Sequence, residues 1–115
     1  MTSSYCSNII KMIRGDTYAF TVSILDEDSE TGLYQLTAAD KLYVGIMYPH
    51  QPFEDAIIKK RFLKVDQDSD GTIKVVITPE DTLDLFPGIY YYAVKLQKEE
   101  AVITVINKTK FIICD

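Results

Sequence analysis

The chain has 115 residues, 47% of them hydrophobic, and a formal net charge of −5. That length suffices for one domain around a single core, the apolar content excludes a disordered chain, and the charge argues against nucleic acid, whose phosphates require clustered cations. No stretch approaches the roughly 20 apolar residues of a membrane span. Residues 1–16 lack the apolar run of a signal peptide, so the expectation is a protein that starts in a cytoplasm and has no membrane partner.

Cys6 and Cys114 are the two cysteines and sit near opposite ends of the chain. Two thiols are the expectation for a cytoplasmic protein, and a bridge between terminal strands stays open as the alternative.

Residues 1–7 are polar and are expected to be flexible, with a single β-sandwich domain over 8–115. Asn8 to Arg14 reads as a first strand, with Ile9, Lys11 and Ile13 on one side and Ile10 and Met12 on the other. Arg14-Gly15-Asp16 spells an integrin-binding tripeptide, but the same residues serve as a turn. Thr17 to Leu25 alternates strictly, placing Tyr18, Phe20, Val22 and Ile24 on one face. Asp26 to Gly32 is an acidic loop whose carboxylates, Asp26, Glu27, Asp28 and Glu30, belong to a solvated hairpin or, alternatively, gather a calcium ion.

Lys41 to Tyr48 alternates again, with Leu42, Val44, Ile46 and Tyr48 against Tyr43, Gly45 and Met47. Pro49 to Pro52 is a proline-bounded loop that holds His50, the single histidine, which reads as a surface residue. Between Asp55 and Val65 alternation fails, which suggests a long strand with a bulge, or one face leaving the core at the basic patch of Lys59, Lys60 and Arg61, a patch that reads as edge protection rather than phosphate binding. Asp66 to Gly71 copies the first half of an EF-hand loop. Position twelve, which needs a bidentate Glu, is Ile77, so a tight turn explains the residues and Asp66, Asp68 and Asp70 remain only a weak metal alternative.

Ile73 to Ile77 is a half-buried strand, and Thr78-Pro79-Glu80-Asp81 then carries the marks of a capped helical turn near 79–84, stopped by Pro87 and Gly88. Leu83, Leu85 or Phe86 would plug that turn into the core. From Gly88 alternation resumes, with Tyr90, Tyr92, Val94 and Leu96 assigned to the core. A corner followed by Gly88 and Tyr90 matches the tyrosine corner of immunoglobulin-like sandwiches, in which the hydroxyl bonds back to the preceding loop; a plain core tyrosine is the alternative. Glu99-Glu100 marks a hairpin tip. Ala101 to Ile106 and Lys110 to Cys114 are the last strands, with a turn or bulge at Asn107-Lys108. The fold class expected is all-β: an immunoglobulin-like antiparallel sandwich of about seven to nine strands with one helical turn.

Three segments in this order, residues 13–28, 34–46 and 77–96, resemble the N-terminal domain family of phage baseplate upper proteins of Gram-positive phages and prophages. The resemblance implies an immunoglobulin-like sandwich and a structural, non-enzymatic role as a baseplate or tail assembly module. Its partners would be other phage tail and baseplate proteins, with a homo-oligomer also open, and it would pass from the bacterial host cytoplasm during assembly to the virion tail. Family members usually continue into a long C-terminal region, whereas this sequence stops at Asp115, and the acidic loop at 26–32 is longer than is usual there. The family brings no catalytic motif, so no catalytic residue and no cofactor is assigned. Docking would use a sheet edge or an outward apolar patch, for which Tyr43, Met47 and Tyr91 are the candidates. The alternative is a binding module for carbohydrate or calcium.

Overall fold

The computed structural model describes residues 9–115. The segment expected to be flexible, 1–7, and with it Cys6 and its pairing, lies outside the described residues. The strands are β1 (Ile10–Ile13), β2 (Tyr18–Val22), β3 (Lys41–Met47), β4 (Ile58–Phe62), β5 (Ile73–Ile77), β6 (Gly88–Gln97) and β7 (Val102–Cys114), with one helical turn, α1 (Pro79–Thr82). They form a five-stranded sheet of order β1-β7-β6-β3-β4 and a two-stranded sheet, β2-β5, in a sandwich-like, mostly β arrangement. Every pairing is antiparallel except β1 with β7, which is parallel.

The period-two pattern decides what is buried. Leu42, Val44 and Ile46 of β3, Tyr90, Tyr92, Val94 and Leu96 of β6, and Phe111 and Ile113 of β7 face Val22 of β2 and Ile73, Val75 and Ile77 of β5 in one core. Each such side chain, taken fully out of water, contributes about 1.5–3 kcal/mol before chain entropy is counted. Rings meet across the layers: Phe20 lies 5.8 Å from Tyr92, and Tyr92 lies 6.3 Å from Phe111. Tyr90 donates its hydroxyl to the Phe86 carbonyl at 2.6 Å, so of its two readings the bond back to the preceding loop is the one present.

Elements differ from expectation in three places. The long bulged strand over 55–65 is instead a short strand between two 3-10 turns, Phe53–Asp55 and Lys64–Asp66. Ile57 and Ile58 can be adjacent because the strand begins only at Ile58. The last two strands are one, β7, and the extra residues are absorbed as irregularities opposite Tyr92–Lys95. After the helical turn, the expected plug among Leu83, Leu85 and Phe86 is Leu85, which packs against the core, while Leu83 and Phe86 are 60% and 83% exposed. The buried residue of that turn is Thr82, whose hydroxyl accepts the Gly15 N–H at 2.9 Å. Tyr48, expected inside, is 44% exposed, although its ring remains 5.4 Å from Tyr90.

The far face of the five-stranded sheet has a second, smaller apolar cluster. Met47, Phe53 and Ala93 are buried there, with Tyr43, Ala56 and Tyr91 packed around them. The 3-10 turn Phe53–Asp55 roofs this cluster, and Gly45 makes room for it. A Cβ at Gly45 would lie 2.8 Å from Phe53 Cε1 and 3.1 Å from Ala56 Cβ.

Candidate functional site

The turn that follows β5 starts from its own sequence. Thr78 precedes Pro79, whose fixed φ suits a first helical position, and the Thr78 N–H donates to Asp81 Oδ2 at 2.8 Å. Burial pushes the Asp81 carboxyl up, but the Lys60 ammonium 2.8 Å away and the Thr78 hydrogen bonds outweigh it and hold the group below the usual carboxylate range. Lys60 thus ties the edge strand β4 of one sheet to the turn that leaves the other. Because the turn stops after one revolution, Leu83 and Phe86 point to water.

Those two side chains sit at one end of the molecule with other exposed apolar groups. Register pairs Ile13 with Cys114 and Ile89 with Ile112, and Gly15, which follows β1, approaches Leu83. Ile13 is 54% and Ile89 50% exposed. Beside them is an open cavity of about 290 Å³ lined by Met12, Ile13, Tyr18 and Cys114, among others. Arg14-Gly15-Asp16 forms the turn after β1, with Arg14 paired to Asp115 at 3.0 Å.

The opposite end carries loops rich in carboxylates, and the structure uses several of those groups internally. Asp26 accepts the Asp28 N–H, Asp66 accepts the Leu63 N–H at 2.8 Å, and Asp70 accepts both the N–H and the hydroxyl of Thr72. Asp66 and Asp70, which with Asp68 make up the weak metal alternative, thus use side-chain oxygens in shaping their own turn, where Gly71 has φ 91°. Among the described residues no three His, Cys, Asp or Glu side chains come together to hold a metal ion. Gln67, which the sequence did not single out, holds this end together. Its Oε1 accepts the Leu36 N–H at 2.8 Å, and its Nε2 donates to the carbonyls of Tyr34 and Gly71, each at 3.0 Å. No periodic signal marks such a residue, because two of its three partners lie more than thirty positions away.

Asp40 is the buried carboxylate of the same end, 2% exposed. Burial pushes it up, but the Thr37 N–H and the Tyr34 hydroxyl both donate to its Oδ2, and Lys98 lies near, so the group is held below the ordinary carboxylate value. Tyr34 is pushed up, first by burial and then by the same bond to Asp40.

Of the residues predicted for contact, Met47 is 0% exposed and is corrected to a core residue, because the 3-10 turn Phe53–Asp55 covers its face. Tyr43 and Tyr91 are half-buried around the same cluster. His50 is exposed in its loop, and no helix among the described residues is long and apolar enough to cross a membrane.

Fold and surface together define a mostly β, two-layer protein with an apolar end, a carboxylate-rich end and a sheet face between them. The chain is similar to a solved structure, the N-terminal domain of phage TP901-1 ORF48. That match covers 100% of both chains at 15% sequence identity and a TM-score of 0.47. No protein-family model and no curated protein matches the chain.

Proposed function

We propose that the chain is a non-enzymatic structural module of a phage or prophage tail, part of the baseplate or its assembly, acting through contacts with other tail proteins. The resemblance of residues 13–28, 34–46 and 77–96 to baseplate upper proteins supports the setting. The observation that carries the mode of action is the apolar end, where Leu83, Phe86, Ile89 and Ile13 are each at least half exposed. Large exposed apolar groups grouped in this way mark contact surfaces on soluble proteins. Leu83 and Phe86 follow the four-residue turn Pro79–Thr82, and the core anchoring of this stretch comes from Thr82 and Leu85, so changing the two exposed residues leaves that anchoring in place.

Leu83→Asp/Phe86→Asp tests this directly. The double variant keeps its stability to within about 0.5 kcal/mol per site, as surface changes usually do. The wild-type chain co-purifies with sedimented tail particles from an induced lysate, and the variant stays in the soluble fraction. Equal recovery of the two in the particles would place the contact elsewhere, and absence of the wild type from the particles would end the proposed role.

A further inference from the structure

The charges of this chain are segregated by element. All 17 Asp and Glu lie in loops or helical turns, and none lies within β1–β7. The outward face of the five-stranded sheet is the reverse. Register aligns Arg61, Tyr43 and Lys95 in one row and Lys59, Gly45 and Ala93 in the next. Tyr91 lies beside Lys110, and Ile89, Ile112 and Lys11 form a further row. Lys41 enters β3 on the same side, opposite Gln97. Six of the twelve Lys and Arg of an acidic protein therefore share one sheet face. The ion pairs Arg14–Asp115 and Lys60–Asp81 use cations that lie off it.

The middle of that face has a defined shape. The Lys59 and Lys95 ammoniums sit 5.0 and 5.1 Å from the Phe53 ring centre, and Lys59 is also 5.5 Å from the ring of Tyr43. An open cavity of about 380 Å³ lies between these four side chains, Glu54 being the one carboxylate on its rim. The ring faces attract the two ammoniums but leave both charges in place, so two like charges are held around one opening.

We propose that this face docks an acidic protein surface, with an Asp or Glu of the partner seated between Lys59 and Lys95. This rests on the tail-assembly role above and supplies the partner's chemistry. A nucleic acid fits less well. Phe53 is only 8% exposed beneath its lysines and Tyr43 is half-buried, so no ring is open for base stacking. The carboxylate loops that border the sheet would also repel a dense phosphate chain, whereas a folded partner places its few carboxylates only where the lysines are.

The test uses the full chain and a fluorescein-labelled peptide of Glu, Tyr and Leu, read by anisotropy. Lys59→Glu/Lys95→Glu is compared with Lys64→Glu/Lys74→Glu, which changes net charge equally but lies off the face. Lys59→Met/Lys95→Met keeps the apolar stems in case the reversal unfolds the chain. The expected result is peptide binding that weakens with salt, falls at least about tenfold in both face variants and changes little in the control. Equal loss in face and control variants, no peptide binding, or tighter binding of a DNA duplex than of the peptide would overturn the proposal. So would wild-type self-association that the face variants abolish, since the partner would then be a second copy. Recovery of the wild type in tail particles separates the two claims: if it is recovered without charge-selective peptide binding, only the docking chemistry fails.

Discussion

Tyr90 closes the corner between the helical turn and β6 with a single bond to the Phe86 carbonyl. Phe86 is exposed, so that carbonyl can turn to water if the hydroxyl is removed. Tyr90→Phe should therefore cost only about 1 kcal/mol, the net value of an ordinary hydrogen bond, seen as a lower urea midpoint at unchanged slope. Gln67 carries more, because three backbone groups depend on it. Gln67→Ala should cost about 2–3 kcal/mol if part of that backbone is left unpaired, and amide exchange at Leu36 should accelerate with it. Asp40 adds a pH dependence. Its pKa in the folded chain lies below the unfolded carboxylate value, so its contribution to stability is complete above that value and is lost as pH falls through the folded pKa. Asp40→Asn should flatten the acid limb of stability against pH, and an unchanged limb in urea titrations at low pH would assign that limb to other carboxylates.

Strands whose two faces see different surroundings were readable from alternation alone. β5 and β6 put their large alternate residues inside, and Tyr90 made the bond that its place after Gly88 implies. Met47 was misleading because alternation reports only which residues share a face. It does not say whether a later segment covers that face, and the roof here is a 3-10 turn built around Phe53. The plug after the helical turn was legible only as one of Leu83, Leu85 and Phe86, since apolar type does not say which of them the end of the turn rotates inward; Leu85 is the one. Asn107-Lys108 gave a genuine irregularity, but sequence does not separate a turn from a bulge when both need extra residues. Gly45 tests the packing of the roof: Gly45→Val must push Phe53 and Ala56 aside and should cost about 1–3 kcal/mol as overpacking. A denaturation midpoint equal to wild type would mean that the roof yields freely.

At the scale of the whole molecule, the described residues extend 43 × 26 × 22 Å. The long dimension exceeds several times the roughly 8–10 Å over which exposed charges interact at ordinary salt. The carboxylate end and the apolar end are therefore electrostatically separate surfaces, and the sheet face between them collects lysines because none of its strands carries an Asp or Glu, on a protein of net charge −5. Composition hid this, because a net charge sums over surfaces that do not screen one another; only the strand register shows which cations stand together. The tail-assembly role is tested most directly by quantitative mass spectrometry of purified tail particles. This chain is expected in a fixed, whole-number ratio to the other tail proteins; its absence, or a ratio that drifts with each further purification step, would end that role.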